Sequence, residues 1–138
     1  MSCKYIIDSH AWIEYFKATK MGSIAREFIE SEHSATPTIV VSEISRKLQK
    51  EITLGNETVD GRKSRLEFMR AATKIIDLDF ETASEAGKIN EDLRQKAKGW
   101  GIADSIVLCT ARNMTGKVVT GDEHFRDLQE VIFIREVS

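Results

Sequence analysis

The chain of 138 residues predicts an α/β fold, a central parallel sheet of about four to five strands flanked by helices on both faces. Short apolar runs of strand length alternate along it with longer stretches whose apolar residues recur at helical spacing. Those runs are continuous rather than alternating, as expected for parallel strands covered on both sides. Size and composition point the same way. With 41% apolar and 30% charged residues, the chain suits one globular domain, residues 1–138, with a core of its own.

The first strand is read in Lys4-Tyr5-Ile6-Ile7-Asp8, with Ser9 as the N-cap of a helix carrying Ala11, Trp12, Tyr15 and Phe16. Gly22 punctuates before a second helix striped by Ile24, Ala25, Phe28 and Ile29. Ala35-Thr36-Pro37 closes the next strand. Thr38 is expected to cap a helix with Val41, Ile44 and Leu48 on one side, because the only proline suits a strand's end better than its middle. A loop over Gly55 to Gly61 separates this helix from one holding Leu66, Met69 and Ala72, the two forming a hairpin. Ile75 to Leu78 is the third strand, followed by a helix from Phe80 to Lys96 with Ala83, Ala86, Ile89 and Leu93 along one face. Gly99 and Gly101 break that helix, and Ile102 to Met114 makes an almost wholly apolar one, buried on several sides. Lys117 to Thr120 and Val131 to Ile134 supply the last strands.

The two cysteines, Cys3 and Cys109, lie in apolar stretches without CxxC or Cys/His spacing, so buried thiols in a reducing cytosol are expected rather than a disulfide framework or a zinc site. No basic segment with an apolar run and cleavage site opens the chain, and no apolar run has membrane-spanning length, which disfavours secretion and membrane insertion. A cytoplasmic location follows. The net charge of −2 is unusual for a nucleic-acid binder. An acidic pocket with a basic rim reconciles the two, the rim drawn from Arg46, Lys47, Lys50, Arg62, Lys63, Arg65, Arg70 and Lys74. For any single run, ordinary solvated helix faces are the better explanation of those basic residues.

In open α/β sheets ligands bind at the carboxyl ends of the strands, where the strand order switches direction. Asp8 directly follows the first strand; it is either a helix cap or a charge held at the crevice. Glu43 sits in the otherwise uncharged Ile39 to Ile44, where a buried carboxylate must be paired or metal-bound, unless it lies on an exposed helix edge. Asp104 falls in the first turn of the most apolar helix, where the helix dipole eases its charge. Asp122 follows the strand ending in Thr120 through Gly121 and doubles as a turn residue.

Four carboxylates projected to one sheet edge repel unless a positive group joins them, and a divalent cation is the economical choice. Oxygen-only ligation suits Mg²⁺ or Mn²⁺, which activates water and polarises a phosphodiester. Ser9 and Thr120 are placed to hold waters or carboxylates behind the ligands. A glycine-rich phosphate loop, a GxSxG elbow and an HExxH helix are all missing, so the corresponding chemistries lack their parts. His10, His33 and His124 are isolated; His10 and His124 fall near Asp8 and Asp122, within reach of a substrate, but exposed helix or loop positions are expected for them. A phosphoacceptor domain is disfavoured because His10 stands where a second acid belongs.

Tyr5-Ile6-Ile7-Asp8-Ser9, Val41-Ser42-Glu43-Ile44, Ile102-Ala103-Asp104-Ser105-Ile106-Val107 and Val119-Thr120-Gly121-Asp122-Glu123-His124-Phe125, in that order, resemble the PIN-domain nucleases. The likeness is closest to short prokaryotic toxin ribonucleases of the VapC type, and it covers essentially the whole chain. It implies a PIN-like fold and a metal-dependent endoribonuclease in which Asp8, Glu43, Asp104 and Asp122 bind Mg²⁺ or Mn²⁺ and cut RNA. It further implies a homodimer and a small antitoxin protein whose tail reaches the acidic pocket. A PIN-domain RNA-processing nuclease and a non-catalytic interaction module on the same fold are the alternatives.

Overall fold

The computed structural model describes residues 3–135. Strand β1 (Tyr5–Ile7) leads into helices α1 (Ser9–Lys17) and α2 (Lys20–Ile29), then β2 (Ser34–Pro37), α3 (Thr38–Thr53) and α4 (Val59–Ala72). Strand β3 (Lys74–Ile76), α5 (Phe80–Lys96), α6 (Ile102–Asn113), β4 (Lys117–Thr120), a short 3₁₀ turn (Glu123–Phe125) and β5 (Val131–Phe133) follow. The strands form one five-stranded sheet in the order β3-β2-β1-β4-β5. All four pairings are parallel, with Ile7 opposite Val119 and Thr120 opposite Phe133.

This order places the oldest-in-sequence strand at the centre. The chain steps outward from β1 to β3, then returns across the sheet through α5 and α6 to β4 on the other flank of β1. Right-handed crossovers therefore put α5 and α6 on the face opposite α1 to α4. The direction of winding reverses between β1 and β4, so the carboxyl ends of these two strands open the crevice.

The core is continuous across the sheet, built on Ile6, Ile7, Trp12, Ile29, Ile44, Leu108, Val118, Val119 and Phe125. Its polar members are satisfied: Trp12 Nε1 donates to Thr36 Oγ1 (3.1 Å), and Thr36 and Thr73 share a hydroxyl bond of 2.7 Å. Gly22 lets α2 approach α1 closely, since a Cβ there would overlap the Glu14 carbonyl. Seven successive residues of α6, Ser105 to Ala111, are buried, as its composition requires.

Several local expectations shift by one residue. Asp8, not Ser9, is the N-cap of α1, and Pro37, not Thr38, that of α3. Val40 is fully buried with Ile44 and Leu48, Val41 packing half-buried against the same core, and Thr82 rather than Ala83 joins Ala86. In both helices neighbouring small or apolar residues make the phase ambiguous. Helix α4 begins at Val59, capped by the Thr58 hydroxyl on Gly61 N–H, so the preceding loop ends before Gly61. Cys3 and Cys109 are buried and free. Among the described residues, no helix is long and apolar enough to cross a membrane.

Candidate active site

Asp8 stands at the carboxyl end of the central strand, where β1 and β4 part. Its side chain is buried, only 3% of the residue being exposed, because α1 turns directly over it. Thr120, the last residue of β4, donates its hydroxyl to Asp8 Oδ2 at 2.8 Å, and the backbone N–H of Ser9 also bonds the carboxylate. Thr120 Oγ1 in turn accepts from the Asp122 N–H at 3.0 Å. One hydroxyl thus ties the ends of β1 and β4 to the turn that carries the second acid. Burial pushes the Asp8 carboxyl up to about 7, against the Thr120 hydrogen bond and with help from the Glu43 and Asp104 charges.

Glu43 reaches the same end from α3. It is half-buried and accepts from the Ser9 hydroxyl, while burial, followed by the charges of Asp104 and Asp122, raises its pKa. Asp104, in the first turn of α6, accepts from the Gly101 N–H at 3.0 Å through Oδ2. Burial raises it as well, the Gly101 bond opposing and the Asp122 charge adding. Asp122 caps the 3₁₀ turn through Oδ1, which accepts the His124 N–H at 3.0 Å. Capping and clustering are therefore not alternatives for Asp104 and Asp122. Each uses one oxygen to cap its own turn and leaves the other without a hydrogen bond among the described residues.

The fold thus brings the ends of β1, α3, α6 and β4 to one edge, where the four acids act on one another electrostatically. Among the described residues no Lys or Arg forms an ion pair with any of them. Nor do any three His, Cys, Asp or Glu side chains among those residues stand close enough together to hold an ion as they are. The chemistry of the four side chains, carboxylate oxygens only, is the kind a hard cation takes; a cation there would offset the burial and mutual repulsion that raise three of their pKa values, and Asp104 and Asp122 each have one oxygen without a hydrogen bond among the described residues.

The histidines depart from expectation. His124 Nδ1 lies 3.4 Å from Asp122 Oδ1 and 3.8 Å from Asp104 Oδ2, and His10 also feels the Asp122 charge. Its other face abuts Gly99, whose φ of 84° and missing Cβ leave room for the ring. His10 is half-buried, and its Nδ1 accepts from Gly121 N–H at 3.3 Å. Arg135 donates to the Gly121 carbonyl at 3.0 and 3.2 Å and braces the turn before Asp122. The closeness of His10 to Asp8 and of His124 to Asp122 in the chain is the sequence signal for the histidines; Arg135 has none. The basic rim is thinner than its sequence suggested, since Lys47, Arg65 and Arg70 pair with Glu51, Glu57 and Glu67.

Residues 5–131 match the family model of the PIN domain, a span that includes every one of these acids. The chain belongs to the PIN domain family. Solved structures share the fold over nearly the full length of this PIN domain. A toxin-antitoxin complex from Klebsiella pneumoniae aligns with a TM-score of 0.73 and 18% identity, covering 97% of this chain and 100% of that one. A DNA-bound VapBC from Salmonella typhimurium gives 0.73 and 16% identity, over 96% of this chain and 98% of that one. Mycobacterium tuberculosis VapC20, described as a toxin that cleaves the sarcin-ricin loop, gives 0.68 and 12%, over 93% of this chain and 97% of that one. No curated protein sequence matches the chain.

Proposed function

We propose that this PIN domain is a divalent-metal-dependent endoribonuclease, the toxin of a toxin-antitoxin pair. The observation that supports this reading is that Asp8, Glu43, Asp104 and Asp122 are coupled electrostatically at the carboxyl-end edge of the sheet, with no Lys or Arg ion pair to any of them among the described residues. The resemblance of the fold to toxin-antitoxin structures supports the biological setting.

In this reading Asp8, Glu43, Asp104 and Asp122 hold Mg²⁺ or Mn²⁺. Such an ion, when bound, lowers the pKa of water to supply a nucleophile and neutralises charge on the phosphodiester. Thr120 fixes the Asp8 carboxylate and Ser9 that of Glu43, so the two inner ligands meet the metal already oriented. Asp104 and Asp122 present their free oxygens from the outer side. Exposed Arg46, one turn beyond Glu43 on α3, offers a contact to an RNA phosphate. A small antitoxin protein restrains the enzyme, and the chain acts as a homodimer in the cytoplasm.

Purified protein incubated with single-stranded and structured RNA is expected to cleave only with Mg²⁺ or Mn²⁺ and to stop on chelation. Asp104→Asn is expected to lower the rate at least about a hundredfold, as loss of an electrostatic group in a metal site does. Full activity in that variant, or cleavage in chelator, defeats the proposal. Absence of both cleavage and thermal stabilisation by metal in the unaltered protein leaves a non-catalytic interaction module on the same fold.

A further inference from the structure

A second buried polar group lies behind the acids. Trp100, 6% exposed, occupies the connector between α5 and α6 and donates its indole N–H to Ser105 Oγ at 2.7 Å. Ser105, fully buried, donates its own hydroxyl hydrogen bond to Asn90 Oδ1 on α5 at 3.0 Å. The hydroxyl is thereby used both as donor and as acceptor, a saturated arrangement that fixes its rotamer. Two of its three members adjoin Asp104. Ser105 follows Asp104 directly, and Trp100 precedes Gly101, whose N–H holds Asp104 Oδ2. On its other side the Trp100 ring tilts against Phe125, 4.9 Å between centroids, and Phe125 closes the 3₁₀ turn capped by Asp122.

Packing alone asks nothing of the indole nitrogen or of the serine hydroxyl. Apolar residues of similar shape fill such a space at less desolvation cost. Metal ligation is different in its demands, because ligand positions must hold to within a few tenths of an ångström. We infer that Trp100, Ser105 and Asn90 form a positioning device that sets the separation of Asp104 from Asp122 and thereby the affinity of the acid cluster for a divalent ion. This inference rests on the proposed metal site.

The test is Mn²⁺ binding by the full-length protein, followed by the paramagnetic resonance of free Mn²⁺, with RNA cleavage as a function of Mn²⁺ as a second readout. Trp100→Phe keeps the ring against Phe125 and removes the donor; Asn90→Ala, at a half-buried site, removes the acceptor at the far end. Both are expected to weaken Mn²⁺ binding by about 10- to 100-fold, the usual effect of removing a group that orients metal ligands. Cleavage at saturating Mn²⁺ is expected to return to the unaltered rate. A loss confined to packing moves the urea midpoint and leaves Mn²⁺ affinity where it was. Affinity within about twofold of the unaltered protein in either folded variant overturns the inference. Should Trp100→Phe not fold, Asn90→Ala decides alone. If the unaltered chain binds no Mn²⁺, the metal site itself fails and this device falls with it, an outcome distinct from a tight-binding variant.

Discussion

Replacing Asp8 by Asn in metal-free protein is expected to stabilise the fold, and to do so increasingly as pH rises. The buried carboxyl titrates near 7 in the folded chain against 3.8 when unperturbed. Below pH 3.8 both states hold the proton and Asp8 makes no pH-dependent difference. Between the two values the unfolded chain releases the proton while the folded one retains it, so the folded state binds more protons and stability falls with increasing pH. Above about 7 the loss is complete. A gap of roughly 3 pH units at about 1.4 kcal/mol per unit gives about 4 kcal/mol as the upper limit. Asparagine keeps the shape and an oxygen for Thr120 but never ionises. Urea unfolding of both proteins in chelator at pH 4, 6 and 8 measures the difference, which is expected to be smallest at pH 4 and to approach that limit at pH 8. Glu43 and Asp104 remain in both proteins, so their own titration largely cancels. A difference that stays flat from pH 4 to 8, or one that shrinks, refutes a buried Asp8 with a raised pKa.

Three further outcomes follow from the same geometry. Thr120→Val deletes the donor that favours the ionised Asp8, so the carboxyl titration seen by ¹³C NMR is expected to move further up from about 7, with a stability loss of about 1–3 kcal/mol; a downward move counts against the hydrogen bond. Gly22→Ala forces a methyl group into the Glu14 carbonyl and is expected to cost at least about 2 kcal/mol in urea unfolding, more than a helical Gly→Ala change that otherwise stabilises. Trp12→Ala empties the centre of the core beneath α1 and leaves Thr36 without its indole donor, for an expected loss of about 3–5 kcal/mol, checked by the same unfolding measurement.

What the residues reveal in advance depends on whether the physics is local. Asp8 is legible because a charge immediately after an uninterrupted apolar strand has few explanations, and the strand itself is legible because both its faces must be covered. Asp104 is legible for the same reason within α6. Helix phase is less so: Val40 and Val41 differ only in which way α3 is rolled, and nothing between Thr38 and Leu48 distinguishes the two until α4 packs on. Thr120 and Ser9 are identifiable as neighbours of the acids, yet that Ser9 serves Glu43 rather than capping its own helix depends on α3 arriving from 34 residues away. His124 and Arg135 are hidden for a related reason. Their partners lie across a turn whose shape is set by Asp122 and Thr120, and no periodicity encodes it. Trp100 reads as one more apolar residue until its indole meets Ser105.

Asp8 and Thr120 are separated by 112 positions, and their bond exists only once β4 has slid in beside β1. During synthesis β1 therefore waits, one flank unpaired, until β4 has been made. A growing polypeptide cut short anywhere before residue 117 lacks one wall of the notch and one of its acids. The notch is thus a property of the closed sheet, and no stretch of the chain that stops short of β4 contains it.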